Sequence, residues 1–205
     1  MRRRLTDGAS QRTSTALFII LALGESIVIT GATISDLDLD AARIMAFVMA
    51  FLASAALWWL YFSSVASLGE HYLEVSENRT ILARDAYTYL HVVFVAGIIL
   101  SAVGDELVIA HPTEILPPYE AATVAAGPAV YLFAHTLFGY RLTGSVSKTK
   151  LFGTLACVAV GFVGLFVPAL VLAGLLIVVL VAVIGSSYLA PSSAETEALP
   201  RRRKG

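Results

Sequence analysis

Charge is scarce in this chain of 205 residues: Asp, Glu, Lys and Arg make up 14% of it, apolar residues 58%, and the mean hydropathy is +0.80. Too few polar residues are present to clothe an ordinary globular surface, and the net charge of −1 lacks the basic excess of a nucleic-acid binder. Cysteine is nearly absent. Cys157 stands alone, so no disulfide can form within the chain, and its expected role is packing. Also missing are HExxH, G-x-S-x-G and a phosphate-binding glycine loop, so neither an enzymatic activity nor a cofactor is expected.

What the chain has instead is long apolar blocks, and these predict an all-α polytopic membrane protein. Length and punctuation give six transmembrane spans: about Thr15–Ile34, Ala41–Phe62, Ala86–Val103, Ala121–Tyr140, Leu151–Val167 and Ala169–Leu189. Read as one helix, residues 151–189 would run about 58 Å, nearly twice the hydrocarbon thickness, so Pro168 is taken as a turn. The basic start followed by an apolar run resembles a signal peptide, but no small-x-small cleavage site ends that run. It is read as the first span.

Basic residues test the six-span reading. One side collects Arg2, Arg3, Arg4 and Arg12, then Arg79 and Arg84, then Arg141, Lys148 and Lys150, then Arg201, Arg202, Arg203 and Lys204; the other holds only Arg43. Positive charge is retained in the cytoplasm, so both termini are predicted to be cytoplasmic. The acidic connections, with Asp36, Asp38 and Asp40 and then Asp105, Glu106, Glu114 and Glu120, are predicted to face outward. The organisation expected is a basic cytoplasmic N-terminus (1–14), a six-helix domain (15–189) and a disordered basic tail (190–205) suited to the headgroups of the bilayer. A short surface helix is expected between Leu68 and Arg84.

Glu25 is the conspicuous group. An acidic residue at the centre of a span costs roughly 3 kcal/mol, while each large apolar neighbour returns about 0.3–0.6 kcal/mol, so the span still inserts. Leu21, Ala22, Val28 and Ile29, one turn away, cannot pair with it. Its partner must come from another helix, water or a ligand. In the third span Tyr87, His91, Phe94, Ile98, Ser101 and Asp105 share a helical face, and in the fourth Tyr131 and His135 lie one turn apart, downstream of Gly127 and Pro128, which should kink the helix. Glu25 should lie about 15 Å from the cytoplasmic boundary and both histidines about 8 Å from it. Side-chain lean favours His135 as the partner. Two readings stay open: a protonatable Glu/His pair in a wet cavity, as in proton-coupled transport, or a helix-locking hydrogen bond with Glu25 protonated.

Other features read as structural. The run Asp36 to Asp40 fails as an EF-hand, since its sixth and twelfth positions are Ala41 and Phe47, so Asp40 is expected to cap the second span. Trp58, Trp59 and Tyr61 are expected as interfacial anchors. Gly153, Cys157 and Gly161 recur every four residues, a small face for helix packing within the bundle or between copies. His71 and His111 fall on opposite sides of the membrane, so no metal site is expected.

Several stretches resemble the bacterial low temperature requirement protein A family, LtrA: ALGESIVITGA (22–32), RTILARDAYTYLHVVFVAGIIL (79–100), GDELVIAHP (104–112) and GPAVYLFAHTLFGYRL (127–142). The matching residues are Gly24, Glu25, Ser26, Arg84, Asp85, Tyr89, His91, His111, Pro112 and His135. The resemblance implies a multi-pass protein of the bacterial inner membrane and carries no catalytic or binding role with it. Full members of the family are about twice this length, and the chain resembles their second half. A partner subunit supplying further helices, or a second copy, is therefore expected, and a structural or assembly module is the alternative to a transporter-like bundle.

Overall fold

The computed structural model describes residues 17–25, 27–28, 31–32, 40–66 and 90–189; all its regular elements are helices, with no strand among the described residues. Residues 17–25, 27–28 and 31–32 are helical. After them come α1 (Ala41–Leu60), a π-helical segment (Tyr61–Ala66), α2 (Leu90–Ala110), α3 (Pro118–Thr143), α4 (Lys148–Val163) and α5 (Ala169–Leu189).

Local chemistry sets the ends of these helices. Asp40 caps α1, its carboxylate accepting the Arg43 N–H at 2.8 Å, which satisfies one of the donors a helix start leaves open. Pro118 starts α3 at a position where a missing N–H costs nothing, and Gly144, at φ 68°, ends it by donating to the Tyr140 carbonyl at 2.8 Å. The Pro168 carbonyl accepts the Val171 and Leu172 N–H groups as α5 begins.

Helices α2 and α3 form the tightest pair, because glycine on either one meets backbone on the other. A Cβ on Gly97 would lie 2.9 Å from the Tyr131 nitrogen, on Gly127 2.5 Å from the Ser101 nitrogen, and on Gly104 2.9 Å from the Val124 Cα. The three contacts follow one antiparallel register along the whole pair. Helix α4 then packs on α3 and α5 through its small face: a Cβ on Gly153 would strike Val183 and press on Leu132, one on Gly161 would meet Ala125, and Cys157 is fully buried. That face is used inside the bundle.

The two ends of the bundle are tied differently. At one end, Ala169 and Leu170 donate their N–H groups at 2.9 Å to the carbonyls of Glu114 and Pro112, joining the start of α5 to the α2–α3 loop by main chain alone. At the opposite end, among the described residues, each bond that ties one element to another uses at least one side chain, such as the Trp59 indole N–H to the Tyr188 hydroxyl at 2.9 Å. Large apolar side chains such as Phe51, Ile99, Phe152 and Val178 point outward, the arrangement of a bundle solvated by hydrocarbon.

Among the described residues four helices are long and apolar enough to cross a membrane: Ala41–Ser63, Leu90–Ala110, Pro118–Arg141 and Ala169–Tyr188. That is a narrower result than the six spans expected. The fifth expected span is the 16-residue α4, about 24 Å long and shorter than a bilayer core, and the first lies only partly within the described residues. Asp105 and Glu106, expected in an outer connection, lie inside α2, which continues to Ala110, and Glu120 occupies the first turn of α3. The reason is that no proline intervenes between Val103 and His111, and Gly104, the one poor helix former there, is held in the helix by its close packing on Val124. Residues 1–14, the Leu68–Arg84 connection, Tyr87 and the tail 190–205 lie outside the described residues.

Candidate functional site

Polar side chains from four elements converge near the end of the bundle where α2 and α4 start. His91 enters from the first turn of α2 and shares a hydrogen bond of 2.9 Å with the Tyr61 hydroxyl, at the start of the π-helical segment. Tyr131, on α3, donates its hydroxyl proton to the Leu57 carbonyl at 2.6 Å, stitching α3 to α1. One turn further along α3, His135 Nδ1 stands 3.4 Å from the Lys150 Nζ of α4. All of these groups are buried.

Aromatic rings hold the two histidines in place. Phe94 lies between them, its ring centre 5.6 Å from that of His91 and 4.9 Å from that of His135, the latter at 87°. Tyr131 stands 5.0 Å from His135, and Phe138 meets His91 edge-on at 5.9 Å. Edge-to-face contacts of this kind fix ring orientation as well as burying area. The result is two imidazoles, two phenols and an ammonium packed among rings. No carboxylate among the described residues forms an ion pair with Lys150.

Ser101 and Asp105 lie further along α2, on the wall of a separate small cavity between α1, α2, α3 and α5. Glu25 goes elsewhere. It lines a groove of about 410 Å3 with Phe18, Leu21, Ile99, Val103 and Glu106. Its expected pairing with His135 is not formed, because the groove flanks a different face of α2 from the one carrying His91 and Phe94, and His135 is enclosed by Phe94, Tyr131 and Lys150. Of the residues singled out in the sequence, the fold brings together His91, Tyr131 and His135, puts Ser101 and Asp105 on the wall of one cavity, and puts Glu25 on the wall of a groove that Glu106 also lines.

Three participants are not legible in the sequence as site residues. Tyr61, expected as an interfacial anchor, is turned inward to His91, whereas Trp58 and Trp59 stay half-exposed at the surface. A usable signal is its spacing one turn after Leu57, which α1 directs at Tyr131. Lys150, counted as a cytoplasmic charge, is buried. Its cue is position: it sits one turn before Gly153 on the small face of α4. Glu106 carries no signal that sets it apart from its acidic neighbours.

The family model described as "Bacterial low temperature requirement A protein (LtrA)" matches residues 15–185. "Uncharacterized protein RA0937" of Rhizobium meliloti (strain 1021) is 32% identical over 142 residues, covering 68% of this chain and 34% of that relative. The matched region thus spans about a third of the relative's length. No solved structure matches the chain.

Proposed function

The chain belongs to the bacterial low temperature requirement A family, and from that premise we propose that it acts in the bacterial cytoplasmic membrane as a transporter-like bundle that handles protons through His135, Lys150, His91 and Tyr61. Family membership and the four apolar helices make it a multi-pass membrane protein. The observation that carries the rest is the buried contact between Lys150 Nζ and His135 Nδ1 at 3.4 Å. An ammonium can donate to Nδ1 only while that nitrogen keeps its lone pair, so the ring hydrogen of a neutral His135 sits on Nε2. A second proton on Nδ1 would set two like charges against each other in an apolar enclosure. The pair therefore works as a unit that holds one exchangeable proton, and movement of that proton changes which residue is charged.

Tyr61 and His91 extend the unit, since a phenol and an imidazole in hydrogen-bond contact can pass a proton between them by exchanging donor and acceptor roles. Ionisable groups inside a membrane bundle are expensive to keep, which favours a working role over a packing one. Glu25 reaches neither histidine and takes no part in this unit.

The test is proton flux into proteoliposomes under an imposed pH gradient, read by an internal dye. The wild-type chain should conduct above protein-free vesicles, and His135→Asn or Lys150→Gln should lower the rate by about a hundredfold. Glu25→Gln should change it far less. Wild-type flux no greater than that of empty vesicles, or a His135→Asn variant with full flux, would overturn the proposal.

A further inference from the structure

We infer that Asp105, Ser101 and the carbonyl of Val124 form a binding site for one small monovalent cation of sodium size, separate from the histidine cluster. Ser101 and Asp105 are one turn apart on α2, and both line a cavity of about 30 Å3 whose wall also includes Val124, Pro128, Ala50 and Leu176. That volume matches one water molecule or an unhydrated small cation. Apart from Ser101 and Asp105 the wall is apolar.

The donor set is all oxygen. Ser101 Oγ spends its proton on the Gly97 carbonyl at 2.9 Å, which leaves the hydroxyl an acceptor towards anything else. Pro128 has no N–H, so the Val124 carbonyl four residues before it lacks its ordinary helical donor, and both residues lie on the cavity wall. Gly127 lets this stretch of α3 press against Ser101: a Cβ there would lie 2.5 Å from Ser101 Oγ. A carboxylate, a hydroxyl and a carbonyl are hard ligands of the kind that bind alkali and alkaline-earth ions.

Charge selects among those ions. No Lys, Arg or His among the described residues forms an ion pair with Asp105, so the carboxylate has no protein counter-charge in its apolar surroundings. One carboxylate balances one positive charge, and a divalent ion would leave an excess charge buried. Asp105 lies fourteen residues beyond His91 on the same helix, about 21 Å along its axis. Cation binding here does not depend on proton handling at His135.

The experiment is equilibrium binding of radioactive sodium to the purified full chain in lipid nanodiscs, with choline chloride holding ionic strength constant, at mildly acidic and at alkaline pH. The wild type should bind one sodium per chain saturably. Asp105→Asn should abolish binding, and Ser101→Ala, which removes one ligand oxygen, should weaken it about tenfold. Pro128→Ala restores an N–H for the Val124 carbonyl and should weaken it to a similar extent while favouring the helix. Should Asp105→Asn not fold, Pro128→Ala decides the matter, and wild-type affinity in that variant overturns the assignment. Absence of saturable sodium binding to folded wild type at both pH values also overturns it, since Asp105 would then hold only a proton.

Discussion

Lys150 and His135 meet inside the bundle, Nζ to Nδ1 at 3.4 Å, on adjacent antiparallel helices joined by the short turn at Gly144. The contact couples α3 to α4 through two groups that are both basic. Removing a buried charge is costly when it strands an opposite charge, and a neutral His135 is not one, so an apolar side chain of similar length in place of Lys150 leaves no uncompensated charge behind. Lys150→Met is therefore expected to keep thermal stability in detergent within about 1 kcal/mol of wild type, while the proton flux described above is lost. A collapse of stability together with flux would mean the contact is a structural bond only.

The α2–α3 pair makes a sharper stability prediction, because its glycines meet backbone, which cannot rotate away. Gly97→Ala and Gly127→Ala should each destabilise the chain by about 1–3 kcal/mol through overpacking. On the same α3, a methyl group at Gly139 would meet no atom of another element within 4 Å among the described residues, and the backbone there is ordinary helix. Gly139→Ala should stabilise by about 0.5–1 kcal/mol. Thermal unfolding followed by tryptophan fluorescence distinguishes the two classes by sign.

Tyr61→Phe removes the hydroxyl that bonds His91 and keeps the ring. A loss of about 1 kcal/mol is expected, with a change in the nitrogen-15 shift of His91 Nε2 and little change at His135. Tyr131→Phe should cost a similar amount and leave both histidine signals near their places, since its hydroxyl bonds the Leu57 carbonyl, which also accepts the Tyr61 N–H.

Cysteine labelling tests orientation. Ile115, in the α2–α3 loop, and Val146, in the α3–α4 turn, are both exposed and lie at opposite ends of α3. With a membrane-impermeant maleimide, Ile115→Cys should label in right-side-out vesicles and Val146→Cys in inverted ones. Native Cys157, fully buried, should react in neither until the protein is denatured.

Much of the scaffold is legible in the sequence because it rests on local rules. Asp40 as a cap and Pro168 as a turn follow from the chemistry of helix ends, and the small face of α4 follows from a four-residue repeat. The site is legible only in part. Depth along the bilayer normal can be counted from a boundary, so His91 and His135 fall at one level. Direction around a helix axis depends on which neighbour packs where, and nothing in the sequence says that Glu25 shares a groove with Glu106. Tyr61 misleads for a related reason. A tyrosine at the end of an apolar run suits a headgroup or a buried imidazole equally well, and only the facing helix decides.

The main-chain bonds from Ala169 and Leu170 to Glu114 and Pro112 have an evolutionary consequence. An amide and a carbonyl are present whatever side chain a codon specifies, so this closure can be inherited through almost any drift in the loop from His111 to Pro117. Proline at position 169 or 170 is the exception, since at either place it deletes a donor outright. Lineages can therefore recolour that surface freely while the joint beneath it stays the same, whereas the side-chain contacts at the far end bind each lineage to its particular residues.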